Sequence, residues 1–125
     1  MTGTYKNLDA WKKSIQLAKR IYQVSESFPD NHPSGLKSQI RRSAVSISNN
    51  IAEGSGLSKE GRKLYHFDIA FGSCNEVDNL STLALEIGYI NEEVQKEIEE
   101  IIISIRRPLS GLIKYTENKI QNFKT

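Results

Sequence analysis

Chemistry in this chain would have to come from His32, His66, Cys74, a glycine-bounded basic run at 56–63, or a polar stripe at 42–53. A carboxylate-bridged di-metal centre in a helical protein needs Glu-x-x-His on two helices, and Glu precedes neither histidine at that spacing. His66 and Asp68 stand two apart, so on a helix their side chains diverge instead of forming an acid–base pair. Cys74 has Glu76 nearby and no adjacent cation to lower its pKa. The run Gly56-Leu57-Ser58-Lys59-Glu60-Gly61-Arg62-Lys63 approaches a phosphate-binding loop. Arg62 stands where that loop needs lysine, Lys63 stands where it needs the magnesium-binding hydroxyl, and no strand precedes it. It reads as the end of one helix and the capped start of the next. Ser58, Lys59, Arg62 and Lys63 at that start suit an anion. No catalytic, cofactor or metal site is expected, and the expected activity is binding.

Two polar surfaces carry that expectation. Lys12, Lys13, Gln16, Lys19, Arg20 and Gln23 share an arc of about 120° on a helix, opposite an apolar face. The cations among them, Lys12, Lys13, Lys19 and Arg20, join Lys59, Arg62 and Lys63 as the expected contacts to nucleic acid. Arg42, Ser46, Asn49 and Glu53 recur at i, i+4, i+7 and i+11, within an arc of about 60°. Serine and asparagine weaken helix interiors unless their side chains find partners, so this stripe is expected to be a hydrogen-bonded seam, with Arg42 pairing a carboxylate. A solvated face and a functional surface are the other readings.

Four helices must position these surfaces. The first spans about 8–27, capped by Asn7 or Asp9, and stops at Phe28-Pro29-Asp30-Asn31-His32-Pro33, where two prolines forbid continuation. Trp11, Ile15, Ala18 and Tyr22, with Leu17, Ile21 and Val24 beside them, form an apolar arc of roughly 200°, more than one bundle seam needs. A second helix, about 35–53 and capped by Ser34, carries Leu36, Ile40, Ala44, Ile47 and Ile51 as its stripe. A third, about 59–87 and capped by Ser58, holds Tyr65, Ile69, Gly72, Glu76, Leu80, Leu83 and Ile87 at near-heptad spacing and ends at Gly88. Asn91 caps the fourth, about 92–118, in which Pro108 is expected to kink the axis. Short connections predict an all-α, antiparallel up-down-up-down bundle in one domain over 1–125, with a core of Trp11, Tyr22, Ile40, Ile47, Ile69, Leu80, Ile98 and Ile105.

Composition bounds the rest. A chain of 125 residues with 38% apolar content fills one core. The single cysteine fits a reducing compartment, and the polar Met1–Asn7 stretch and the lack of a long apolar run point to a cytoplasmic protein without a membrane span. Net charge is +2, but 1–63 carries 11 basic and 5 acidic residues and the remainder 6 and 10. That asymmetry suits either a basic surface or mutual attraction between antiparallel helices.

The run Gly35-Leu36-Lys37-Ser38-Gln39-Ile40-Arg41-Arg42-Ser43-Ala44-Val45-Ser46-Ile47, followed by Asn50-Ile51-Ala52-Glu53-Gly54, resembles the bacterial four-helix-bundle proteins encoded in intervening sequences of 23S ribosomal RNA genes. Leu8-Asp9-Ala10-Trp11, Phe28-Pro29, Ala70-Phe71-Gly72-Ser73 with Glu76, and Leu85-Glu86-Ile87-Gly88-Tyr89-Ile90 extend the likeness over about 8–119. The resemblance implies a bundle assembling into a homopentameric ring. It also implies kinship with accessory proteins of diversity-generating retroelements, which bind nucleic acid and a reverse transcriptase, and it implies no enzymatic activity. An oligomeric module binding RNA or DNA through its basic surface is therefore expected, with a protein-interaction scaffold that makes no nucleic-acid contact as the alternative.

Overall fold

A computed structural model describes residues 5–29 and 31–124, the side chains of 123 and 124 excepted. The expectation of no leader, which rests partly on Met1–Thr4, lies outside these residues. A short 3-10 turn at Tyr5–Asn7 precedes four helices: α1 (Asp9–Ser25), α2 (Leu36–Ser55), α3 (Glu60–Glu86) and α4 (Glu92–Lys124). No strand occurs among the described residues. Each helix packs on its sequence neighbours, α1 closes against α4, and the backbones of the diagonal pairs stand more than 8 Å apart between Cα atoms. The architecture is a square up-down bundle, and among the described residues no helix is long and apolar enough to cross a membrane.

Helix ends differ from expectation in three places. Leu8, Gly35 and Lys59 occupy the N-cap positions of α1, α2 and α3, and none accepts a side-chain cap bond, so Asn7 or Asp9, Ser34 and Ser58 do not cap as expected. Ser34 instead turns back to His32, its hydroxyl 2.7 Å from Nδ1. The fourth start is as expected, with Asn91 Oδ1 accepting the Val94 N–H at 2.9 Å. Gly88, at φ +85°, ends α3 in a Schellman turn: the Tyr89 N–H reaches the Ala84 carbonyl at 2.8 Å and the Gly88 N–H reaches Leu85 at 3.0 Å. α4 runs unbroken through Pro108 to Lys124, six residues past the expected end at Asn118.

The core is built from isoleucine and small residues. Ile40, Ile47, Ile98 and Ile105 are buried as expected, together with Leu17, Ile21, Ile51, Ile102 and Leu109. Trp11 is only half-buried, its ring edge-on to Tyr5 with 5.4 Å between centroids. Tyr22 is 46% exposed, while Ile69 and Leu80 are partly buried.

The largest correction concerns α3. Its inward side chains are Phe67, Ala70, Ser73, Cys74, Val77, Ser81 and Ala84. The stripe expected to face the core points outward, leaving Tyr65 63%, Leu83 45% and Ile87 50% exposed. Both faces are apolar at helical spacing, so periodicity alone could not choose between them. Close approach decides. Ser46 of α2 meets Ser73 of α3 at 2.8 Å between hydroxyl oxygens, a range that only small side chains on both helices admit, and the bulky inward Phe67 is accommodated because α2 presents Gly54 to it, where an added Cβ would meet a ring carbon at 2.8 Å.

Candidate nucleic-acid interface

The sequence-derived cations divide into free and occupied groups. Lys12, Lys13 and Lys19 are exposed on α1, and Lys59 and Arg62 are exposed at the start of α3, none with a side-chain partner in the chain among the described residues. Arg20 is occupied: its Nε and Nη2 donate to both carboxylate oxygens of Glu97 on α4, each at 2.9 Å. The bidentate bond to Glu97 raises the guanidinium pKa above its ordinary value. Lys63 is occupied as well, donating from Nζ to the Gly54 and Ser55 carbonyls at 3.4 and 3.2 Å, which satisfies orphan acceptors at the end of α2. Two of the seven expected contacts are therefore bonded within the chain, and among the described residues five are not.

Four of the free cations, Lys12, Lys13, Lys59 and Arg62, stand near the starts of α1 and α3, which lie at the same end of the bundle. Leu8 shares a cleft at one end of the bundle with Glu60, Lys63 and Phe67, so the N-terminal turns of both helices lie at that end. Lys12 and Lys13 lie in the first two turns of α1 and Lys59 and Arg62 at the start of α3, all exposed, and the two helix dipoles add positive potential at that end. In the cleft, Glu60 Oε1 approaches Lys119 Nζ at 3.8 Å, while Oε2 is buried without a hydrogen-bond partner. Lys119 is held above its ordinary pKa, chiefly by its bond to Tyr115 and then by Glu60.

The polar stripe splits too. Ser46 joins the α2–α3 seam, with Oγ 2.8 Å from Ser73 Oγ. Arg42, Asn49 and Glu53 are exposed with no bonded side-chain partner among the described residues, so within the chain Arg42 does not pair a carboxylate. Arg41 does: it bonds Glu26 at 3.0 Å and the Ser25 hydroxyl at 2.7 Å, and covers the Tyr22 ring at 4.4 Å. That contact, with a smaller share from Lys37, holds the Glu26 carboxyl below its usual range. Sequence reasoning missed the other seam residues. Asn50 Nδ2 donates to the Ser46 carbonyl at 2.8 Å, and its Oδ1 meets His66 Nδ1 at 2.9 Å. Asn50 follows Asn49 by one position, about 100° nearer to α3, and no sequence signal distinguishes the two asparagines.

His66 is thus turned toward α2 while Asp68 is exposed on another side of α3. Cys74 is buried and, contrary to expectation, has a cation near it in Arg106. Burial still dominates, pushing the thiol from 9.0 up to about 12.

No curated protein matches the chain. A crystal structure of a protein of unknown function from the S23 ribosomal protein family of Bacteroides thetaiotaomicron VPI-5482 is similar at a TM-score of 0.75 and 26% identity, covering 84% of this chain and 98% of that one. The pattern of the family described as 23S rRNA-intervening sequence protein matches residues 6–111, most of the bundle and its helix-two signature included. The chain belongs to the 23S rRNA-intervening sequence protein family.

Proposed function

We propose that this chain is a non-enzymatic, oligomeric binding module of the cytoplasm that contacts nucleic acid through the basic end of its bundle. The observation that carries this reading is that Lys13, Lys59 and Arg62, exposed and without a side-chain partner among the described residues, stand near the N-termini of two like-directed helices that begin at the same end of the bundle. Subunits repeated about one axis would present the same basic end on one face of the assembly and multiply weak phosphate contacts. The family resemblance implies five copies. The second reading, a scaffold that binds only protein, is favoured by the exposed Tyr65, Leu83 and Ile87.

A salt titration of binding to single- and double-stranded RNA and DNA separates the two. Phosphate contact predicts that log affinity falls against log salt with a slope near −0.9 per contact on duplex DNA, or about −0.7 on single strands, with little base preference. Lys13→Glu, Lys59→Glu and Arg62→Glu combined should abolish binding while the helical circular dichroism signal is kept. Absence of binding by the wild type at low salt leaves the scaffold reading standing and ends the nucleic-acid one.

A further inference from the structure

We infer that copies of this chain join through two different faces, the exposed flank of α1 from one copy against the exposed stripe of α3 from the next, in parallel and in a register that places Ile15 over Gly72. The inference rests on the oligomeric reading above and adds the faces and register to it.

Both faces are unpartnered in the subunit. On α1, Ile15 is 42% and Tyr22 46% exposed. Their flank borders α2, because Arg41 covers the Tyr22 ring. On α3 the outward stripe lies about 70° round the helix from His66 and Ser73, the two residues that bond α2. The faces therefore occupy adjacent sides of the square bundle and meet at the α2 corner at about a right angle. A second copy using one face on each subunit makes a heterologous contact, and wedges of that angle repeated about one axis close into a small ring.

Charge and level match across that contact. Lys12 and Lys19 edge the α1 face, and Asp68 and Glu76 lie along the α3 face. All four are exposed, and none has an ion pair within the chain among the described residues. Leu8 shares its cleft with Glu60, Lys63 and Phe67, so an α1 residue lies level with an α3 residue about 52–59 positions later, both helices rising equally, and the offset near 57 is the one in that window that brings the opposite charges together. Cyclic symmetry adds no shift along the axis, so equal levels meet. Lys12 then faces Asp68, Ile15 faces Gly72 and Lys19 faces Glu76 of the next copy.

Gly72 supplies the hole. A Cβ added there meets nothing within 4 Å in the subunit, yet glycine inside an exposed helix is less favourable than alanine. A neighbouring Ile15 seated against its bare backbone accounts for that cost. The α2 corner then points at the ring axis, and Arg42, Asn49 and Glu53, unpartnered within the chain, line the centre.

The test combines light scattering with thermal unfolding of the full chain. Gly72→Leu should keep or raise the subunit's helicity and cut the mass to that of one copy. Lys19→Glu and Glu76→Lys should each weaken association at least tenfold, and the double variant should recover it. A wild type that is a single copy at micromolar concentration overturns both the assembly and this pairing. A wild type that assembles while Gly72→Leu keeps its full mass, or while the double charge swap fails to recover association, overturns the pairing alone.

Discussion

The two sides of α3 have comparable apolar content and opposite fates. The inner side, with Ala70, Ser73, Cys74, Val77, Ser81 and Ala84, is nearly inaccessible, while Tyr65, Leu83 and Ile87 on the outer side keep about half their surface or more. Hydrophobicity does not separate the two sides. Closeness of approach does, since Ser46 of α2 meets Ser73 at 2.8 Å between hydroxyl oxygens, and the inward ring of Phe67 fits only because α2 offers Gly54 opposite it.

Removing bulk that packs onto the inner side should have the largest effect. Ile47, fully buried on α2, should cost about 2–5 kcal/mol on truncation to alanine, read as a shift in the urea midpoint. A loss as small as an outer-side substitution would break the contrast.

Glycine sharpens it further, because the same substitution should act in opposite directions. Gly54→Ala forces a methyl into the Phe67 ring and should cost about 1–3 kcal/mol. Gly72→Ala, with open space around it, should gain up to about 1 kcal/mol in the subunit's own unfolding, measured on dilution to single copies. Equal signs for the two would show that crowding at α2 is not what distinguishes the sides.

The last effect is electrostatic and changes nothing at neutral pH. The folded-state thiol of Cys74 titrates near 12, above the 9.0 of an exposed thiol, so folding favours its protonated form. Its contribution is fully present below pH 9.0 and is lost as pH rises from there toward about 12. Alkaline unfolding of the wild type compared with Cys74→Ala should show this as a steeper decline in the wild type, and thiol reagents should react slowly at neutral pH. Matching alkaline curves would remove the thiol from this account.

Helix number and boundaries were largely legible because prolines at 29 and 33, glycines at 54, 56 and 88, and Asn91 punctuate a helical period. The α2 stripe was legible as well, since Ile40, Ile47 and Ile51 lie on one narrow apolar face. The candidate site was legible only as charge. Nothing in the local sequence distinguishes Lys59, which is free, from Lys63, which caps α2, or Arg42 from Arg41, which holds Glu26.

By itself, the sequence determined that the chain is helical, where its helices break, which family it belongs to, and that its first half is basic. These properties depend on residue type and on spacing within a few turns. Tertiary structure decided which of α3's apolar faces is the inside, which cations are spent on Glu97 and on the end of α2, and that α1 and α3 begin at the same end of the bundle. Those outcomes depend on how closely two helices can approach and on what lies across the gap, and neither quantity is a property of any one segment.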